Sequence, residues 1–480
     1  MKHFFSFSTG RFSGHARRGA LLLALGAVGP AAWGQSFGPM TSYATGPGYS
    51  PNGLALGDLN GDGRPDIVTT HYNVNLVGVL LSQTGGGFAP ISTYSTGPGS
   101  GPSEVALSDV NGDGRLDIVS ANGDSNSIGV LLGAAGGSFG AVTLYSTGLI
   151  GSRLSGPRGV AVGDVNADGR PDVVATIHGA HVVGVLLGQA GGGLAPASTY
   201  ASGAPGQYGS PNGLALGDIN GDGRLDIAVA NNTNVGVLLG QATGGFAPAS
   251  TYASGMGLVD DVALADVTGD GRVDIVSVMP FANSAGAIGV LAGQASGFAP
   301  LVMYPSGGTL PHTVALGDLN GDGRLDMATD NYTTNNIAVL QGQAGGGFVA
   351  TGSYPTGPNS NPVGVLLHDL NGDGRLDIVA LSYSAVGVFL NTGTYLSATR
   401  PTAADLSLAP NPAHDAFTVT LPAGAPATHA ELLNALGQVV RRPAGSGASF
   451  RVETAGLAPG VYTLRLRAGG AALARRVVVE

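Results

Sequence analysis

The chain has 480 residues, of which 83 are Gly and 28 Pro, while 43% are apolar and only 11% charged. The glycines follow no triplet period, so neither a collagen helix nor a low-complexity coil accounts for them. Cysteine is absent and Lys2 is the only lysine, which excludes disulfides, thiolate chemistry, Cys-type zinc sites and a lysine Schiff base in the mature protein.

Residues 1–34 join basic Lys2, Arg11, Arg17 and Arg18 to an apolar run from Ala20 to Val28 and a small-residue end at Ala32-Trp33-Gly34. This is the pattern of a secretory signal peptide cut before Gln35. No segment reaches the ~20 uninterrupted apolar residues of a membrane-spanning helix. Without the leader, 17 basic residues face 31 acids, a balance that repels nucleic acid.

From residue 35 to about 395 one nonapeptide recurs seven times, opening at Asp58, Asp109, Asp164, Asp218, Asp266, Asp318 and Asp369, at intervals of 48 to 55 residues. That period with β-rich composition fits propeller blades. In the first repeat, Leu54-Ala-Leu reads as a strand A entering the Asp loop and Asp66-Ile-Val-Thr as a strand B leaving it. Val77 to Leu81 reads as strand C and Phe88 to Thr96 as strand D. The segment Phe37 to Thr45 resembles a D strand with no A, B or C before it, and the last repeat stops at a C strand, Val386 to Leu390. The expectation is therefore an all-β, seven-bladed β-propeller whose N-terminal strand completes the last blade and removes its open edge.

Each loop carries oxygen side chains at positions 1, 3, 5 and 9 and Gly at position 6, an arrangement in which hard ligands at alternate positions face one cation. These positions are Asp58, Asn60, Asp62 and Asp66; Asp109, Asn111, Asp113 and Asp117; Asp164, Asn166, Asp168 and Asp172; and Asp218, Asn220, Asp222 and Asp226. The remaining loops supply Asp266, Thr268, Asp270 and Asp274; Asp318, Asn320, Asp322 and Asp326; and Asp369, Asn371, Asp373 and Asp377. The alternative is a plain turn rich in turn-forming residues. Between residues 35 and 400, however, 21 of 26 acids lie in these loops, leaving only Glu104, Asp124, Asp260, Asp261 and Asp330 elsewhere. Three carboxylates ~5 Å apart repel by roughly 3 kcal/mol per pair at an effective dielectric of 20, which a turn alone does not require. Up to seven calcium ions are expected, with weaker sites where Thr268 replaces Asn and Ala167 replaces Gly.

The string Asp-x-Asn-Gly-Asp-Gly-x-x-Asp after a Val-Ala-Leu strand, followed by segments such as Gly86-Gly87-Phe88-Ala89-Pro90, resembles the FG-GAP/VCBS repeat of integrin α-subunit propellers and many secreted bacterial proteins. The resemblance implies calcium ligation through the loop positions above. It does not carry integrin-like adhesion with it.

Past a linker at 396–403, residues 404–480 show alternating strands such as Phe417 to Leu421 and Val461 to Arg467, the pattern of a small β-sandwich. Leu408-Ala-Pro-Asn-Pro, Leu457-Ala-Pro-Gly-Val-Tyr and the terminal Arg475-Arg-Val-Val-Val-Glu resemble the type A sorting domain of the type IX secretion system. That resemblance implies export to the cell surface or beyond, with the export machinery as partner.

Gly136-Gly-Ser138-Phe-Gly140 matches the string of a nucleophile elbow, but no helix follows it, so it reads as a turn. His178 and His181 share one loop, where a transition-metal pair competes with two unrelated histidines; His368 reads as a strand end. Because strands alternate, the B–C and D–A loops share the face opposite the Asp loops. There Tyr72, Asn73, Asn126, His178, Asn231, Asn232, Tyr332, Asn335 and Tyr383 form the candidate surface for a glycan or protein ligand, with Arg153 and Arg158 beside it. The expected role is a secreted binding or adhesion module without catalysis. The alternatives are a calcium-dependent lyase or glycosidase, which should show a buried carboxylate or His cluster outside the loops, and a passive matrix component.

Overall fold

The computed structural model describes residues 36–46, 51–148, 156–203, 210–255, 257–282, 286–393, 406–409, 412–421, 427–434, 439–443, 449–468 and 471–479. The expected leader, the linker at 396–403 and Arg153 lie outside them.

Among the described residues the repeats form seven four-stranded antiparallel sheets. After strand β1 (Thr41–Ala44), the first sheet runs β2 (Pro51–Gly57), β3 (Asp66–His71), β4 (Leu76–Leu80) and β5 (Ser92–Ser95) in order. The B strands carry the burial. Ile67 and Val68 are fully enclosed, as are all six residues of every B strand by class. Such continuous apolar and β-branched runs belong to strands covered on both faces. D strands read half-exposed throughout, as outer edges do. Strand D is shorter than the sequence suggests: Phe88 makes only an isolated bridge to Ser82, and the strand proper begins at Ser92.

Each A strand packs against the A strand of the next sheet, and Gly364–His368 of the last sheet returns to β2, so the sheets close into a propeller-like cycle. The closing strand is β1. It pairs with Ala385–Phe389 in the register Thr41↔Val388 to Ala44↔Ala385, next to Asp377–Ser382 and Gly364–His368. Apolar clusters lie between successive sheets; one joins Val110, Val119 and Ile128 to Val160, Val173 and Ile177 of the next.

The C-terminal strands form a three-stranded and a four-stranded sheet around one core containing Phe417, Val419, Leu432, Leu464 and Val477. Among the described residues no helix is long and apolar enough to cross a membrane.

Candidate functional site

Each Asp loop is built around its first carboxylate. In the first loop Asp58 Oδ1 accepts the amides of Gly61 at 2.8 Å and Asp62 at 3.1 Å, and its Oδ2 accepts that of Gly63 at 2.7 Å. Gly61 and Gly63 sit at φ 77° and 81°, a left-handed geometry that Gly adopts without strain. Asn60 Oδ1 accepts the Asp62 amide at 2.9 Å, and Asp62 Oδ2 pairs with the Arg64 guanidinium. The bond from the position-6 amide to position 1 recurs in all seven loops. In the third loop Ala167 takes φ 60° where the others have Gly, a conformation costing about 1 kcal/mol or more for a residue with a Cβ. The fifth loop is the most open, its Asp270 side chain 40% exposed and its Thr268 Oγ1 buried without a partner.

Position 9 behaves differently from the other three. Asp66 is fully buried; its Oδ2 accepts the Leu59 amide at 2.9 Å and its Oδ1 the Ser82 amide at 2.7 Å, tying the A–B loop to the C–D turn. Asp117, Asp172, Asp226, Asp274, Asp326 and Asp377 do the same. Burial pushes the carboxyls of Asp66, Asp117, Asp172, Asp226 and Asp377 up, opposed by those amides, and takes Asp326 to about 7. Asp226→Ala strands two enclosed amides, those of Ile219 and Gly240, and is expected to cost about 3 kcal/mol in urea melts with or without calcium. Asp226→Asn, which keeps one acceptor, should cost about half.

Among the described residues no group of three or more His, Asp or Glu side chains stands in position to hold a metal ion. The loop donors nonetheless fit a hard divalent cation in kind: only oxygens, at exposed positions 1, 3 and 5. Asp58 uses three of the roughly four acceptor sites of a carboxylate, which leaves it one to give.

The opposite face divides the residues expected there. Tyr72 donates from its phenol to Asp124 Oδ1 at 2.7 Å. The two line a pocket of about 190 Å³ with Asn52, Ser103 and Arg158. Tyr332 and Tyr383 meet edge to face at 6.1 Å, with Tyr383 45% exposed. Asn73 is exposed and His178 half-buried in their short 3-10 turns. Asn232 accepts from Asn212 at 3.0 Å. Three asparagines serve the turns instead. Asn231 is fully buried and donates to Ser202 O and Asn234 Oδ1, each at 2.9 Å, so it cannot reach a ligand. Asn335, at φ 54°, accepts the Asn361 amide at 2.9 Å, and Asn126 turns the chain at φ 51° while its carbonyl holds Thr147. Ser138 is exposed and opens a two-residue strand, Ser138–Phe139, just after the turn at 135–137, rather than lying in the turn itself, and His368 closes an A strand.

The structure also assembles a cluster that sequence reasoning missed. His312 Nδ1 lies 2.7 Å from Asp260 Oδ2, and the His312 ring stands edge-on to Tyr332 at 5.6 Å. Asp330, fully buried, accepts on Oδ1 from the Thr313 amide at 2.6 Å and hydroxyl at 2.8 Å. Asp261 and Glu104 line a channel of about 250 Å³ between the A strands. Four of the five acids outside the loops thus gather at one place. Burial pushes Glu104 up to about 8, with the Asp261 charge adding to it, and raises Asp261 to about 7 and Asp330 to about 6. A carboxyl whose folded pKa is raised stabilises fully below its unfolded value and loses that contribution as pH rises through the folded one. For Glu104 the window runs from 4.5 to about 8. Glu104→Gln should therefore flatten the fall in stability across that window, read from urea midpoints at stepped pH.

A model described as FG-GAP-like repeat matches residues 109–175, 166–229, 218–277 and 328–380, and one described as FG-GAP repeat matches 50–87. A model of a secretion system C-terminal sorting domain matches residues 407–480. No curated protein is significantly similar in sequence. Among solved structures the chain is similar to virginiamycin B lyase from Staphylococcus aureus, at 16% identity and TM-score 0.52, over 74% of this chain and 99% of that one. It is also similar to BBS1N, solved in complex with ARL6DN, at 12% identity and TM-score 0.51, over 75% and 98% of the two chains. At these identities the likeness concerns the propeller-like fold alone.

Proposed function

The chain is an FG-GAP repeat protein with a secretion-system C-terminal sorting domain that sends it to the cell surface or extracellular space, and from that premise we propose a calcium-stabilised binding or adhesion module. Its repeats make a seven-bladed propeller closed by the N-terminal strand, and its C-terminal strands an Ig-like sandwich recognised by the type IX export machinery. The loop side chains at positions 1, 3 and 5, from Asp58, Asn60 and Asp62 to Asp369, Asn371 and Asp373, would hold the calcium. Position 9 would support them by fixing the loop backbone. The bound ion neutralises carboxylates that otherwise repel.

The observation that carries the binding reading is the pocket on the face opposite the loops, where an aromatic ring, a carboxylate, an amide and a guanidinium converge in Tyr72, Asp124, Asn52 and Arg158. That mixture suits the apolar and hydroxylated faces of a neutral sugar or a polar loop of a protein. A glycan array with the mature chain tests it. The expected result is a bound glycan lost in Tyr72→Ala and Arg158→Ala. The His312–Asp260 pair with buried Asp330, Asp261 and Glu104 is the kind of cluster the enzyme alternative calls for, so a silent array with turnover of a polysaccharide would favour an enzyme, and silence in both a passive matrix role.

Removing residues 404–480 should leave the repeats folded but retained in the periplasm of a host with the type IX machinery. Undiminished surface display of the truncated chain, read by protease shaving of intact cells, would contradict the export route.

A further inference from the structure

Closing the cycle brings equivalent positions of seven A strands around one axis. Five residues before each loop's first aspartate, four repeats carry Gly, while the second, fifth and sixth carry Glu104, Asp261 and Thr313. One residue earlier the fifth and sixth repeats place Asp260 and His312, and the third Arg158. The glycines are needed there. A Cβ at Gly213 would stand 2.4 Å from Asp261 Oδ1, and one at Gly53 3.0 Å from Glu104 Oε1, so each acid lies over a bare stretch of the neighbouring strand.

The charges at this mouth do not balance. Asp260 has His312 as its partner at 2.7 Å. Among the described residues Glu104, Asp261 and Asp330 form no ion pair. Glu104 is met by backbone amides, that of Val105 on Oε1 at 3.1 Å and that of Leu54. Asp330 Oδ2 is buried with no hydrogen-bond partner, and the Asp330 charge acts on both His312 and Asp261. Unpaired carboxylates in a confined space are costly unless protonated or met by a cation.

We propose that this channel mouth binds a primary ammonium group carried on a slender chain, held between Glu104 and Asp261 in the field of Asp330. An ammonium has three N–H donors to share among carboxylates from separate blades. A hard metal ion is the competing occupant, but the channel lining offers it only two carboxylates, Glu104 and Asp261. The channel, about 250 Å³ and walled by Val160, Leu214, Val262 and Val314, admits an alkyl chain but not a folded ligand. This site adjoins the pocket beside Tyr72, with Asn52 lining both, but its carboxylates Glu104 and Asp261 line the channel and not that pocket, so the variants below test it apart from the glycan array.

Titration calorimetry of 1,4-diaminobutane into the mature full-length protein at pH 8, in calcium-containing buffer, tests it. 1,4-Butanediol serves as the neutral isostere and magnesium chloride as the metal arm. Saturable binding of the diamine is expected, with Glu104→Gln and Asp261→Asn each weakening it about tenfold. Binding should also weaken toward pH 6 and release protons there, since Glu104 and Asp261, which line the channel, must ionise to hold the ammonium, with Asp330 and the Asp260–His312 pair as the neighbouring titratable groups. If a variant does not fold, the parent decides through its melt, which the diamine should raise and the diol should not. Absence of saturable heat, equal binding of the diol, undiminished binding by folded variants, or displacement of the diamine by equimolar magnesium would each overturn the proposal.

Discussion

Chelating calcium from the mature protein is expected to lower its melting temperature by on the order of 10 °C while leaving its far-ultraviolet spectrum at room temperature unchanged. The loops lack a bidentate Glu at position 12, so each site should be of the weak extracellular kind, with Kd on the order of 10⁻⁴ M. At ~1 mM free calcium, mass action gives ~1.4 kcal/mol per site, or ~10 for seven independent sites, a quantity comparable with the whole stability of a domain. The spectrum should survive because each loop has supports that need no ion. Asp58 is held by three backbone amides, Arg64 partly neutralises Asp62, and Asp66 ties the loop to the next turn. Ionic strength alone should move the melt far less than the chelator. Within the array, Asp218→Ala should cost more than Asp266→Ala. The fourth loop is complete, whereas the fifth has Thr268 at position 3 and its Asp270 side chain is 40% exposed, against 26% for Asp222. Calorimetry that finds no calcium uptake, or a melt that the chelator leaves unmoved, would reduce the seven loops to turns.

How much of this could be read from the chain alone depended on whether a feature repeats. The Asp loops recur at fixed offsets, so their first residue, their Gly hinge and the strands on either side could be placed by residue number, and the unmatched D strand at Phe37 to Thr45 pointed to the closing pair that β1 makes with Ala385–Phe389. Offsets did not separate position 9 from positions 1, 3 and 5, because all four are oxygen side chains. Only the fold shows that Asp66 has both oxygens on the amides of Leu59 and Ser82. The channel cluster was invisible for the opposite reason. Glu104, Asp260, His312 and Asp330 depart from the repeat, come from three different blades, and become neighbours only through ring closure. The one signal in the chain is that Glu104 and Asp261 interrupt a register position held elsewhere by Gly53, Gly159, Gly213 and Gly364. On the ligand face, Tyr and Asn looked equally suited to recognition, yet Asn231 is enclosed and Asn335 is spent on the Asn361 amide.

Deleting residues 35–46 should convert the protein from a monomer into aggregates, because β1 fastens three sheets at once. It pairs with Ala385–Phe389 over four residues, and the bonds from Gly38 N to Leu390 O and from Thr392 N to Ser36 O, both 2.8 Å, extend the seam. Its side chains reach further. Tyr43 meets Phe88 of the first sheet edge to face at 5.1 Å, and Phe37 meets Tyr354 of the sixth at 5.0 Å. Met40 covers the bare backbone of Gly387, where a Cβ would lie 2.4 Å from its sulfur. Half a dozen hydrogen bonds at ~1 kcal/mol and three large apolar side chains at ~2 kcal/mol each sum to ~12 kcal/mol, again the scale of a domain's stability. The exposed edge would present Ala385-Val-Gly-Val-Phe389, an uncharged run without Pro, to other molecules. A synthetic peptide of residues 35–46 added during refolding should restore the monomer, since the lost pairing and side-chain contacts are those of this segment. Light scattering that finds the truncated chain monomeric, with a melt like the parent's, would mean that the cycle holds through its A strands and inter-sheet clusters without the closing strand.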